Sequence, residues 1–117
     1  MQSDRVVKVN RFPTGELESE FTEVDGKIEG KQRRWHQSGQ LFSEAEFVNG
    51  LLEGGLREWT KEGVMVLSAE LHKGAFHGRY ESWWDSGTPK ERGEFIDGVR
   101  QPGFTWFRED GSVWKQL

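Results

Sequence analysis

Three stretches of the sequence decide the fold: DGKIEGKQRRWHQSG at 25–39, NGLLEGGLREWTKEG at 49–63 and KGAFHGRYESWWDSG at 73–87. Aligned at a spacing of 24 residues, they share three glycine columns and one tryptophan column. The last glycine column extends outward to Gly15 and Gly111. Self-similarity at a fixed period indicates a repeat architecture. Residues 1–117 are therefore predicted to be a single domain of five tandem copies, of which the first and last are degenerate.

Each copy is predicted to be a β-hairpin, because frequent glycines between short apolar and polar segments indicate strands joined by tight turns. The turn His36-Gln37-Ser38-Gly39 suits a three-residue loop in which the glycine takes the left-handed conformation, since the Cβ of Ser38 resists it. We expect a positive φ at the equivalent glycines, which are Gly15, Gly39, Gly63, Gly87 and Gly111. The predicted fold is all-β, an elongated twisted antiparallel sheet of 24-residue hairpins without helices.

This turn predicts which side chains lie opposite each other. The expected pairs are Trp35 with Leu41, Trp59 with Met65, Trp83 with Pro89 and Phe107 with Val113. Because side chains alternate along a strand, an even period keeps each column on one face. We expect the tryptophan column to join the Ala45, Ala69, Gly93 and the Phe47, Leu71, Phe95 columns in one apolar ladder.

The other face is predicted to become aromatic toward the C-terminus, where it carries Tyr80, Trp84, Phe104, Trp106 and Trp114. A large exposed aromatic patch indicates a partner site, and Trp and Tyr are common interface anchors. We expect Trp84 and Trp106 to be accessible or in an intermolecular contact, and Trp35 and Trp59 to be buried.

Composition excludes several functions. The chain has no cysteine, which removes disulfides and thiolate chemistry and favours a cytoplasmic setting. The sequence shows no signal-peptide pattern and no apolar run long enough to span a membrane, so neither export nor a membrane role is expected. The net charge of −4 gives duplex nucleic acid little electrostatic attraction.

No catalytic or metal-binding pattern emerges from the residues. His72 and His77 flank a turn but lack the further ligands that a zinc site needs. The carboxylates from Glu16 to Glu29 are interpreted as a solvated face, because a thin sheet offers no cleft to separate their pKa values. We therefore expect no enzymatic activity and no cofactor. The basic cluster Lys27, Lys31, Arg33 and Arg34 is expected either to pair with the acidic strand around Glu16 to Glu23 or to bind an anion.

The spacing G-x3-G-x4-aromatic-x3-G, carried by Gly26, Gly30, Trp35 and Gly39, resembles the MORN repeat-variant family. The resemblance extends from about Pro13 to the C-terminus and implies an array of successive hairpins. It also implies an antitoxin-like or scaffolding protein, because members of this and the related MORN family are described in those terms. The last copy departs from the pattern, with Arg100-Gln101-Pro102-Gly103 where the third glycine is expected.

These observations predict a non-enzymatic protein-binding module of bacterial or phage type, antitoxin-like or immunity-like, whose partner is a protein such as a toxin or effector. Its expected binding residues are the C-terminal aromatic residues named above. Self-association through the same face is a further expected outcome. The alternative prediction is that the chain binds a phospholipid headgroup or a nucleotide-like anion through Arg33 and Arg34.

Overall fold

The computed structural model describes residues 4–117, and these residues form one open antiparallel sheet without a helix. The strands are β1 Arg5–Arg11, β2 Leu17–Val24, β3 Lys27–Trp35, β4 Leu41–Val48, β5 Leu51–Trp59, β6 Met65–His72, β7 Ala75–Trp83, β8 Pro89–Ile96, β9 Val99–Arg100, β10 Thr105–Phe107 and β11 Val113–Gln116. From β1 to β8 each strand pairs with the next one in the chain. The all-β prediction in hairpin order is confirmed.

The two kinds of turn in each repeat have distinct backbone conformations. In the first kind, Gly39 has φ +96° and its N–H donates to the carbonyl of His36 at 2.9 Å. The four equivalent glycines have φ between +89° and +104°, which confirms the predicted left-handed position. In the second kind both central residues have positive φ, as in Asn49 (+55°) and Gly50 (+83°). Such two-residue turns match the right-handed twist of the strands that they join.

The last repeat departs from this pattern where the sequence does. β9 and β10 both pair with β8, so together they form one strand interrupted at 101–104. Within the break, Phe104 N–H donates to the carbonyl of Gln101 at 3.1 Å and Gly103 has φ +94°. Pro102 cannot donate a ladder hydrogen bond, which is consistent with the interruption.

The predicted pairs at the turns are confirmed, but the predicted single apolar ladder is wrong. Trp35 opposes Leu41, and then a β-bulge shifts the register so that Arg34 opposes Ser43. The same shift follows Trp59 and Trp83. Because one extra residue reverses the alternation of side chains, the tryptophan column lies on the opposite face from the columns of Ala45 and Phe47.

We name the two faces by their content. The tryptophan face carries Trp35, Trp59, Trp83 and Phe107 together with charged residues such as Arg33 and Glu44. The apolar face carries the buried hydrophobic side chains, which are Ala45, Ala69, Leu71, Phe95 and Phe104. The core is therefore a row of side chains on one face of the sheet.

The sheet is a single layer. Its principal extents are 53 × 36 × 13 Å, and its radius of gyration is 16.6 Å, whereas a compact chain of this length would have roughly 13 Å. Within residues 4–117 no second layer of structure covers the apolar face. Most side chains on that face are consequently only half-buried.

Candidate functional site

Five aromatic rings pack against one another on the apolar face, across β7, β8 and β10. We call Phe76, Tyr80, Phe95, Phe104 and Trp106 the aromatic cluster. The centroids of neighbouring rings are 4.8 to 5.8 Å apart, and several pairs meet edge to face. At this spacing aromatic pairs contribute more stabilising free energy than the burial of their surface alone provides. The cluster is the largest group of aromatic contacts in the described part of the chain.

A glycine makes room for the centre of this cluster. Gly93 opposes Tyr80 across β7 and β8 and occupies the column filled by Ala45 and Ala69 in earlier repeats. A Cβ at Gly93 would lie 2.4 Å from Cδ2 of Phe104 and 2.9 Å from its Cα. Because Gly93 has no side chain, Phe104 can lie directly against the backbone of β8 and has no exposed surface.

Cationic side chains lie over the rings of the cluster. The guanidinium carbon of Arg100 is 5.2 to 5.5 Å from the ring centroids of Phe95, Phe104 and Trp106. The Nζ atom of Lys115 lies 5.3 Å from the ring centroid of Trp106. These distances are typical of cation–π contacts. Arg100 itself is exposed, so the surface over the cluster combines a guanidinium with aromatic edges.

The structure divides the predicted aromatic residues into two groups. Tyr80, Phe104 and Trp106 share the apolar face, as expected, although Phe104 lies beneath the surface rather than on it. Trp84 and Trp114 lie together at the turn end of the last hairpins, where they line a groove of about 350 Å³. Trp114 is 61% exposed, and the Nζ atom of Lys90 lies 4.8 Å above the ring of Trp84.

The predicted contrast between tryptophans is wrong. Trp35 and Trp59 were expected to be buried, but both are half-buried, as are Trp84 and Trp106. The cause is the β-bulge, which places the column of Trp35 and Trp59 on the charged face of a single-layer sheet. An intermolecular contact of Trp84 and Trp106 stays a prediction.

The predicted basic cluster is divided between the faces, because Arg34 lies on the opposite face from Lys31 and Arg33. Arg33 Nε donates to Glu44 Oε2 at 2.9 Å on the tryptophan face, so its partner belongs to β4 and not to the acidic strand β2 as expected. Arg34 opposes Ser19 and Ser43 on the apolar face and lines a polar groove of about 690 Å³.

The histidines at the turn make separate contacts with carboxylates. His72 Nδ1 lies 2.8 Å from Glu53 Oε2, and His77 Nδ1 lies 3.5 Å from Asp97 Oδ1. Among residues 4–117, no group of three or more potential ligand residues is arranged to hold a metal ion.

Sequence reasoning missed a row of side chains beside the cluster. Glu58, Leu67, Ser82, Glu91 and Trp106 cross the apolar face from β5 to β10, each opposite the next. Neither the glycine spacing nor the aromatic columns point to this row, because it depends on the register after the bulge.

Burial and the negative charge of Glu91 raise the pKa of Tyr80 to about 12 from its ordinary 10.0. Tyr80 is the one tyrosine in the sequence, so the ultraviolet absorbance of its phenolate reports this group alone. We expect a titration midpoint well above 10.0 in the folded protein. Glu91→Gln should lower the midpoint, although not to the ordinary value, because burial is the larger cause.

The sign of the accompanying change in stability follows from linkage. The folded protein stabilises the neutral form of the Tyr80 phenol. The contribution of this phenol to the free energy of unfolding is therefore complete below pH 10 and is lost as the pH rises toward 12. A midpoint at the ordinary value in protein shown to be folded would contradict the packing of Tyr80.

Comparison with known families identifies two of these hairpins. A sequence model described as the MORN repeat variant matches residues 28–49 and 76–97. These two segments are MORN-variant repeats. Each matched segment runs from the start of one hairpin to the next two-residue turn, so one MORN-variant repeat equals one hairpin, β3–β4 or β7–β8. The second MORN-variant repeat contributes Phe76, Tyr80 and Phe95 to the aromatic cluster.

No protein among those with curated descriptions matches the chain. Residues 4–117 include no helix that is long and apolar enough to cross a membrane. The two matched segments and the strand order together characterise residues 4–117 as an array of hairpin repeats.

Proposed function

We propose that this chain is a non-enzymatic protein-binding module, with an antitoxin-like or immunity-like role as the specific form of that function. Its contact surface is the C-terminal half of the apolar face. The observation that carries the proposal is that the aromatic cluster lies on a single-layer sheet and has no second layer over it within residues 4–117.

The chemistry of this surface suits a protein partner. Interfaces are enriched in Trp, Tyr, Phe and Arg at their centres, and such residues supply most of the binding energy. Here the surface combines half-buried Tyr80 and Trp106 with exposed Arg100. The groove at the turn end adds Trp84 and Trp114 to this surface. The rings are already fixed by one another, which lowers the conformational entropy that binding must remove.

A second candidate function is binding of an anionic ligand such as a phospholipid headgroup or a nucleotide. It is supported by the polar groove around Arg34, which also includes Asn10, Ser19 and His36. These groups can donate hydrogen bonds to phosphate oxygens. The groove lies at the opposite end of the sheet from the aromatic cluster, so variants can separate the two functions.

Partner capture with a matched pair of arginine variants tests the first proposal. The tagged chain is purified from its native host, the bound protein is identified by mass spectrometry, and its dissociation constant is measured by calorimetry. We expect Arg100→Ala to weaken binding by about 2 kcal/mol, the effect of a central interface arginine. Arg79→Ala is the control, because Arg79 is also exposed but lies opposite Glu94 on the tryptophan face.

Equal losses of partner affinity in Arg100→Ala and Arg79→Ala would contradict the assignment of the partner site to the apolar face. The antitoxin-like form is tested by expressing the captured partner alone and together with the chain: the partner should arrest growth and the chain should relieve the arrest. If instead only Arg34→Ala abolishes binding, and the ligand is an anionic vesicle or a nucleotide, the second candidate replaces the first.

A further inference from the structure

Next to the aromatic cluster lies a groove with an acidic lining. It has a volume of about 310 Å³ and is lined by residues of β5 to β8 that include Glu58, Leu67, Tyr80, Ser82 and Glu91. Glu58 and Glu91 stand on its two sides, because they flank Leu67 and Ser82 in the row across the sheet. Leu67 and Ser82 therefore form the floor of the groove.

Two polar atoms of this groove are buried without a partner. Ser82 is 7% exposed, and its Oγ has no hydrogen-bond partner among the described residues. Glu91 Oε2 is also buried and unpartnered. A buried polar atom without a hydrogen bond costs about 1–3 kcal/mol, and more when it is charged. Each such atom in a native protein needs an explanation, and a ligand in the adjacent groove is one.

One lysine of the chain, Lys90, is among the residues that line the groove. Within residues 4–117 neither Glu58 nor Glu91 forms an ion pair with a lysine or arginine. The Nζ atom of Lys90 lies 4.8 Å from the ring centroid of Trp84. The lining of the groove thus includes the carboxylates of Glu58, Asp85 and Glu91, a hydroxyl acceptor and an apolar floor, together with Lys90, which forms no ion pair with Glu58 or Glu91.

From this geometry we infer that the groove binds a guanidinium or ammonium group at the end of an apolar stem, supplied by an arginine or lysine side chain of the protein partner. This inference rests on the proposed function and names the chemistry of the partner's anchor. The cation donates hydrogen bonds to Glu91 Oε2 and Ser82 Oγ, and the methylene stem lies on Leu67. Arginine fits best because its five donors can serve both atoms at once.

The raised pKa of Tyr80 is consistent with this chemistry, since the negative charges of Glu91 and Glu58 both contribute to it. A bound cation would offset those charges.

The test uses the full chain and an acetylated, amidated tetra-arginine peptide, followed by NMR. We expect saturable shifts of the backbone amides of Leu67, Ser82 and Glu91. A peptide of the same length made of citrulline, which is neutral but nearly isosteric, should produce none. Glu91→Gln should weaken binding roughly tenfold or more, because it removes a charge-assisted hydrogen bond.

The matched control is Glu70→Gln, which removes the same charge from the tryptophan face, where Glu70 opposes Gly55. It should leave the affinity within about twofold, since the interaction of solvent-exposed charges is screened. Equal weakening by both variants, or equal binding of the citrulline peptide, would overturn the inference. Spermidine that binds more tightly than the peptide would overturn the assignment to a partner side chain.

The proposed function and this inference can fail separately. If Arg100→Ala weakens the native partner but Glu91→Gln does not, the contact surface stands and the cation groove is wrong. If the tetra-arginine peptide binds in the groove while no protein partner depends on Arg100, the groove stands and the proposed partner surface is wrong.

Discussion

Replacing Gly93 with alanine is expected to lower the free energy of unfolding by about 2 kcal/mol or more, the cost of overpacking a well-packed site. The added Cβ would lie 2.4 Å from the ring of Phe104 and 2.9 Å from its Cα, so both the ring and the backbone of the last repeat must move. The direction is notable because alanine in a strand is otherwise favoured over glycine by about 0.5–1 kcal/mol. Urea denaturation measures the change.

Gly55→Ala is the matched control. Gly55 also lies within a strand, and a Cβ there would meet only the mobile end of Arg57 at 2.8 Å. We expect this variant to be neutral or slightly more stable than the parent. A Gly93→Ala protein as stable as the Gly55→Ala protein would contradict the packing of Phe104 against β8.

Removing the ring of Phe104 should have the largest effect of any single truncation. Phe104 has no exposed surface and contacts Tyr80, Phe95 and Trp106. Truncation of such a buried aromatic to alanine costs about 3–5 kcal/mol. Trp114→Ala, which removes a larger ring that is 61% exposed, should change the free energy of unfolding by less than about 0.5 kcal/mol.

The two positions should also be coupled. Once Phe104→Ala has removed the ring, the Cβ of Gly93→Ala meets less resistance, so the double variant should be more stable than the sum of the single changes indicates. Residues in direct contact show such coupling energies of about 0.5–3 kcal/mol. Strict additivity would mean that the ring and the glycine do not meet in solution.

Most of the architecture was predictable because the glycines act locally. A positive φ at Gly39 is required by its turn alone, and the pair Trp35 and Leu41 follows from the length of the same turn. The bulge that follows was not predictable, because the extra residue, Phe42, resembles any other strand residue and no glycine marks it. One unmarked residue was enough to exchange the predicted faces of the tryptophan and alanine columns.

The sequence predicted which residues share the face of the candidate site but not which of them are buried. Tyr80, Phe104 and Trp106 share a face, as expected, yet which of them is buried depends on a long-range contact. Phe104 meets Gly93 only because β10 pairs with β8 after the interruption at Pro102. Local spacing carries no information on that pairing, and the unpartnered oxygens of Ser82 and Glu91 depend on it as well.

In a single-layer sheet the stabilising free energy is distributed along the order of the strands. Each strand from β2 to β7 is hydrogen-bonded only to the strand before it and the strand after it, so the free energy that holds the chain together is close to a sum of nearest-neighbour terms. These terms are unequal, since the aromatic cluster concentrates packing in the final repeats while β1 is exposed throughout. Resistance to local unfolding should therefore be greatest at the end of the sheet that carries the aromatic cluster and least at the end formed by β1.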